Sequence, residues 1–222
     1  MKGVEILSRD GTARYGRLTV EEQALLFPSA TDTTEIFPAL NNRAGTSIPP
    51  ADDPGFISRF LVRDGNQPIP VHVHSPVDIQ SGETVIAPNW HTLLSRPRDF
   101  CQLLDELKGT IPPDTCWYLP GAALPENAAI LVHAGFDLFD YIAADLATAQ
   151  GIFCLPDGQY PEKVMEEGLC SCQGCKSGDL HLHNRIALDQ ELALIGRRIR
   201  DGTFRDLLDG RCRTKPELVS VM

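Results

Sequence analysis

Between Cys170 and His183 the chain reads Cys-Ser-Cys-Gln-Gly-Cys, then seven residues, then His-Asn. Three thiolates and an imidazole within fourteen residues match the ligand number and chemistry of a tetrahedral structural zinc. Disulfides fit less well, because cysteines this close in sequence bridge only with strain. The expected ligands are Cys170, Cys172, Cys175 and His183. His183 is preferred because it heads a helical pattern that would fix its ring, with His181 the alternative. Four protein ligands leave no position for a substrate, so such a Zn2+ folds the segment and any chemistry lies elsewhere.

Three other groups of residues could act on a substrate. In Gly135-Phe-Asp-Leu-Phe-Asp140, a strand with Phe136, Leu138 and Asp140 on one face would end on a carboxylate placed to be a nucleophile or general base. Asp137 would then face helices or start a turn. An aspartate that ends a strand also caps the following helix, and pattern alone favours that role for Asp140. His72-Val-His74 puts two imidazoles on one side of a strand, the beginning of a metal-dependent amidohydrolase site. The prolines Pro70 and Pro76 around it point to a short edge strand with both rings half exposed. Finally, Arg185 to Lys215 carries +3 while the rest of the chain carries −13. Arg197, Arg198 and Arg200 there could grip phosphates, and the segment fits a solvated, ion-paired helix face equally well.

The elements that must position these groups follow from periodicity. Val4 to Leu7 and Ala13 to Val20 flank Arg9-Asp10-Gly11 and read as a hairpin. Phe27 to Pro54 is dense in turn formers and reads as loop. Strands are expected at 56–62, 69–74 and 84–90. Helix at 97–108, strand at 115–119, helix at 125–133, strand at 135–139, helix at 141–150 and strand at 151–155 then alternate in the rhythm of βαβ units on a parallel sheet. Two helices, Arg185 to Arg200 and Thr203 to Arg211, are divided by Asp201-Gly202.

With 222 residues, 42% of them hydrophobic, the chain can bury a full core. The expected organisation is a barrel portion at 1–165 and a zinc-binding, Arg-rich helical segment at 166–222. No apolar run nears eighteen residues and no charged-then-apolar leader opens the chain, so a soluble cytoplasmic protein without a membrane partner is expected. The charge of −10 alone argues against nucleic acid, and only the arginine segment argues for it. Cys101, Cys116, Cys154 and Cys212 stand singly and read as reduced, buried thiols.

Taken together, Pro120-Gly-Ala-Ala-Leu-Pro125, Ala134-Gly-Phe-Asp-Leu-Phe-Asp140, the Cys-x-Cys-x2-Cys array and His183-Asn184 before an Arg-rich helix resemble the tRNA-guanine transglycosylases. Asn89-Trp-His-Thr-Leu-Leu, Pro97-Arg98 and Lys215-Pro-Glu-Leu218 resemble in particular the amino-terminal part of archaeosine synthases. The resemblance implies an α/β fold, an incomplete (β/α) barrel of the TIM type with a C-terminal zinc-stapled helical segment. It implies tRNA as partner and deazaguanine exchange as the reaction, with Asp140 in the place of the nucleophile that attacks the ribose anomeric carbon. It also implies Cys170, Cys172, Cys175 and His183 as zinc ligands, after a shorter spacer than is usual in the family.

The departures bear on activity. An Asp-Ser-Gly-Gly/Ser-Phe-Gln-like segment, the family's source of a second aspartate, is not found; Pro88-Asn-Trp-His-Thr92 stands where the resemblance would place it. Nor is a Gly-rich base-reading loop found, and the chain is too short for eight full βα units. The amidine-forming and carboxyl-terminal tRNA-binding modules of archaeosine synthases are expected on a separate chain, or the chain is a reduced paralogue, and it is expected to be inactive in exchange by itself or to serve as a non-catalytic tRNA-binding subunit.

Overall fold

The computed structural model describes residues 3–20, 23–32, 84–86 and 112–214. Three antiparallel strands open it: β1 (Gly3–Asp10), β2 (Ala13–Val20) and β3 (Gln23–Phe27). The expected hairpin is present, with Asp10 opposite Ala13 and the turn made possible by the positive φ of Gly11. β3 overlaps the start of the stretch read as loop. Its register sets Gly16 opposite Phe27, and there a Cβ on Gly16 would stand 2.4 Å from both the Phe27 ring and the Glu5 carbonyl oxygen.

A second sheet is parallel throughout. It contains β4 (Ser29–Ala30), β5 (Thr84–Ile86), β6 (Cys116–Tyr118) and β7 (Leu138–Phe139) in the order β4-β7-β6-β5. The first parallel strand in sequence therefore pairs with the last. β4 too lies in the stretch expected to be loop. Two residues carry no periodicity to read, and the strand is held by backbone bonds from Ser29 N–H to Asp137 C=O (3.2 Å) and from Thr31 N–H to Phe139 C=O (3.1 Å). Among the described residues the chain is α/β, with a parallel sheet that does not close into a barrel.

Helices α1 (Ala128–His133) and α2 (Ile142–Ala149) follow β6 and β7 as expected. The strand read at 151–155 is β8 (Ile152–Leu155), but it does not continue the parallel sheet. It turns at Pro156-Asp157 and pairs antiparallel with β9 (Gly158–Pro161). A short 3-10 turn, Glu162–Glu167, leads to α3 (Gln173–Ser177), α4 (Leu180–Arg200) and α5 (Phe204–Thr214). α4 starts earlier than the expected Arg185, because the Asp179 carboxylate caps it by accepting the Leu182 N–H at 2.9 Å.

Alternation along β6 divides the interior in two. Cys116 and Tyr118 face Leu18, Phe27 and Leu138, between the two sheets. Trp117 and Leu119 face α1, Phe136, Phe139 and the apolar stripe Leu188, Leu192, Ile195, Ile199 of α4, together with Phe204 and Leu208 of α5. Burial of such side chains stabilises by about 1.5–3 kcal/mol each. A third, smaller cluster of Phe153, Val164 and Leu180 lies under Cys170 and Cys175. No helix among the described residues is long and apolar enough to cross a membrane.

Candidate metal centre and candidate active site

The cysteine array folds back on itself. Cys172 precedes α3, where its Sγ accepts the Cys175 N–H at 3.4 Å, and Gly178, in the left-handed region, ends that short helix. Gly174 then lies against the start of α4 so closely that a Cβ would meet His183 N at 2.3 Å and Cα at 2.5 Å. Only glycine allows that approach. The Cys172 and Cys175 sulfurs each stand 3.3 Å from His183 Nδ1, and the four donor atoms, Cys170 included, lie within 4.8 Å of one another. A tetrahedron on Zn–S bonds of about 2.3 Å has edges of about 3.8 Å, so the group has the size and donor chemistry of a metal site.

The neighbours orient the histidine for that task. His183 Nε2 donates to the Cys154 carbonyl at 3.0 Å, which leaves Nδ1 as the lone-pair nitrogen facing the sulfurs. Its ring stacks on Phe153 with centroids 3.9 Å apart. Burial holds the imidazole below its ordinary pKa against the opposing effect of the Cys154 carbonyl, keeping it in the neutral, ligating form. Asn184 completes the arrangement: its Oδ1 accepts the Cys154 N–H at 2.9 Å, and its amide donates to Ile152 C=O at 2.8 Å and Thr148 Oγ1 at 3.0 Å. The alternative ligand His181 points elsewhere, with Nε2 3.0 Å from Asp145 Oδ1 and half its side chain exposed.

Asp140 ends β7 at the carboxyl edge of the parallel sheet and is 1% exposed. It accepts from three donors: the Tyr118 hydroxyl at 2.6 Å, the Gly121 N–H shared between its two oxygens at 2.9 and 3.0 Å, and the Ile142 N–H at 3.0 Å. Burial raises its carboxyl pKa above the ordinary value, and the bonds from Tyr118, Gly121 and Ile142 restrain the rise. Leu138 and Asp140 share the face that meets Tyr118, as expected. Phe136 does not: it packs edge-on to Trp117 at 6.1 Å in the other cluster, because regular strand begins only at Leu138. The expected cap is also present, since Ile142 opens α2.

Asp137 departs from expectation more sharply. It neither faces the helices nor starts a turn; it lies at the opposite, amino edge, 2% exposed, in a two-pronged ion pair with Arg14 of β2. The Trp117 N–H donates to it at 2.8 Å. Burial pushes its carboxyl up to about 6, against the pull of Arg14. The sequence offered no sign that Arg14 is buried, since a single arginine in an alternating strand reads as exposed.

The arginine segment divides. Arg185 binds Asp145 through two bonds (2.9 and 2.6 Å), Arg211 binds the buried Glu191 through two (2.7 Å each), and Arg205 pairs with Asp209. Arg197, Arg198 and Arg200 are exposed and form no ion pair with a carboxylate among the described residues. Arg200 lies over the Tyr15 ring at 4.9 Å. His72 and His74 lie outside the described residues.

A family model described as queuine tRNA-ribosyltransferase matches residues 91–217, a stretch that contains Asp140, all four members of the candidate metal group and the exposed Arg197, Arg198 and Arg200. The chain belongs to the queuine tRNA-ribosyltransferase family. It is 34% identical over 160 residues to archaeosine synthase subunit alpha of Methanosarcina acetivorans, covering 65% of this chain and 26% of that protein. It is 37% identical over 123 residues to archaeosine synthase of Haloferax volcanii, covering 52% and 21%. With tRNA-guanine(15) transglycosylase of Methanosarcina acetivorans it shares 30% over 136 residues, covering 54% and 28%. The chain thus spans about a quarter of the length of the curated relatives it matches. Within this queuine tRNA-ribosyltransferase relative, the metal group and Asp140 flank one short segment, α2 with the β8–β9 hairpin.

Proposed function

We propose that this chain is a tRNA-binding, transglycosylase-like unit of archaeosine-type tRNA modification, built as an incomplete (β/α) barrel with a structural zinc. The observation that carries the reading is the joint occurrence, inside the matched stretch, of a tetrahedrally sized Cys3His group and a buried carboxylate at a parallel sheet's carboxyl edge. Pairing of the first parallel strand with the last is what a barrel seam requires, and it supports the incomplete-barrel reading. The names of the relatives supply the substrate class. Bound zinc would cross-link Cys170, Cys172, Cys175 and His183 and thereby hold α3 to α4, with β8 joined through the His183 bond to the Cys154 carbonyl.

In this reading an Asp140 oxygen faces the anomeric carbon of a flipped nucleotide. Its attack forms a glycosyl ester while the N-glycosidic bond breaks, and the electron pair leaves with guanine, which is protonated as it departs. A deprotonated deazaguanine then displaces the carboxylate. Tyr118, Gly121 and Ile142 hold the carboxylate in place.

One observation favours a second reading, that of a unit which binds tRNA without catalysing exchange: the Asp140 oxygens are already satisfied and almost wholly buried. A relative that is itself named a subunit supports a partner chain in the same modification, and a tRNA partner fits work in the cytoplasm. The amidohydrolase alternative has no support, since the relatives are named as synthases and transglycosylases.

Binding of tRNA to the purified chain tests both readings. Affinity is expected to fall with salt, and Arg197→Ala with Arg198→Ala to lower the logarithmic salt slope by about two. An affinity unchanged by the double substitution would take these arginines out of the interface, and no binding at low salt would refute the proposal.

A further inference from the structure

Immediately beyond Asp140 the chain is gripped by residues of the metal-bearing helix. The Tyr141 hydroxyl donates to Asp189 Oδ1 at 2.8 Å, with the Ala30 carbonyl 3.3 Å away as a second, weaker acceptor of the same hydrogen, and the Arg185 guanidinium covers its ring at 4.7 Å. One turn on, in the first turn of α2, Asp145 receives Arg185 Nε at 2.9 Å and Nη2 at 2.6 Å. Arg185 Nη1 also stands 3.6 Å from Asp32, two residues beyond β4. A single guanidinium thus joins α4, two residues past His183, to the start of α2 and to the ends of two neighbouring strands.

We propose that Arg185 is a positioning residue for Asp140, fixing the start of α2, and with it the Ile142 N–H that meets the carboxylate, to the metal-bearing helix. The role deepens the proposed function, since the position of Asp140 matters for exchange only if Asp140 faces the ribose. An ordinary exposed ion pair contributes little and reaches no further than its partners. This one is different in geometry: it is forked, stacked on an aromatic ring and about three-quarters buried on the Arg185 side. α2 has only eight residues and no side-chain cap from its own N-cap, Tyr141, so its first turn is held against α4 by the forked Arg185 grip on Asp145 and Tyr141, with His181 Nε2 adding a single contact to Asp145 Oδ1 at 3.0 Å. The other donors to Asp140, Tyr118 and Gly121, belong to β6 and the turn after it, outside this grip. Loosening Arg185 would therefore shift the Ile142 bond relative to the other two.

The test needs neither tRNA nor turnover, so failure of the proposed function leaves it readable. In the full chain labelled with carbon-13 at aspartate Cγ, Asp140→Asn assigns the Asp140 resonance and Tyr118→Phe shows the displacement produced by losing a known partner. Arg185→Ala is expected to move the resonance while metal content stays at the wild-type level. Arg185→Lys, which keeps the charge but not the fork or the stack, is expected to do the same and covers the case in which the alanine variant does not fold. Asp179→Ala removes the α4 cap without touching the cluster and is expected to leave the resonance in place. An Asp140 signal unmoved in both Arg185 variants overturns the proposal, as does an equal displacement in Asp179→Ala.

Discussion

Cys172 combines two contacts that can be separated by one substitution. Its sulfur accepts the Cys175 N–H as the cap of α3 and faces His183 Nδ1. Serine can cap but is a poor zinc ligand, so Cys172→Ser isolates the metal contribution. Structural zinc contributes on the order of 10 kcal/mol or more in small modules, as much as the stability of an average domain. Cys172→Ser is therefore expected to lose the metal and the fixed packing of α3 on α4, as read by metal analysis and thermal unfolding. Retention of one metal per chain would show that Cys172 is not a ligand. Asp137 gives a pH-dependent prediction. Its carboxyl, raised to about 6, holds a proton more tightly in the folded chain than in the unfolded one. Its stabilising contribution is thus complete below about pH 4 and lost as pH rises through about 6, an effect on the order of 3 kcal/mol. The stability gap between the wild type and Asp137→Asn in urea should change by that order between pH 4 and pH 7. A gap constant over this range would mean that Arg14 keeps Asp137 ionised throughout.

The elements that could be read from sequence were those with enough residues to show a period or a turn signal. The β1–β2 hairpin has Asp10-Gly11, and α4 repeats its apolar stripe over several turns. What escaped was set by contacts distant in sequence. β4 is two residues long and exists because β7 lies beside it; β8 has a parallel-strand pattern, but Pro156-Asp157 turns it back on β9. The candidate metal group was legible because its spacing is local; the helix start does not separate His183 from His181, since α4 begins at Leu180 and takes in both, and what separates them is that His183 Nδ1 faces the sulfurs while His181 turns to Asp145. The closeness of α3 and α4 was not legible, because it depends on a missing side chain. Gly174→Ala would drive a Cβ to 2.3 Å from the His183 nitrogen, a distance no rotamer change relieves. The expected cost is about 1–3 kcal/mol or more, with His183 pushed away from the sulfurs. Competition with a chelator should show weaker metal retention than in Gly178→Ala, where the substitution strains only the turn; equal retention would mean that α3 can slide without disturbing the site.

At the scale of the whole molecule, α4 runs from the carboxyl edge of the parallel sheet to the antiparallel sheet. Near its start, Arg185 lies by Asp32 and Tyr141, beyond the carboxyl ends of β4 and β7; near its end, the Ile199 carbonyl accepts the Ser8 hydroxyl and Arg200 covers Tyr15 on the antiparallel sheet. A rise of about 1.5 Å per residue puts Arg197 to Arg200 about 20–25 Å along the axis from His183. Phosphate contacts there would hold a tRNA at a distance from Asp140 without reading its base. Base exchange demands more: protonation of the departing guanine, deprotonation of the incoming base and recognition of both. The sequence shows neither the second aspartate nor the base-reading loop, and Asp140 has its oxygens occupied by Tyr118, Gly121 and Ile142. Loss of one general acid or base costs about 100- to 10,000-fold, and lost recognition adds to it. The purified chain is therefore expected to bind tRNA yet incorporate labelled guanine or deazaguanine no faster than the protein-free background. Incorporation that disappears in Asp140→Ala would refute this, and would require Tyr118 to yield its bond so that the carboxylate can reach the ribose.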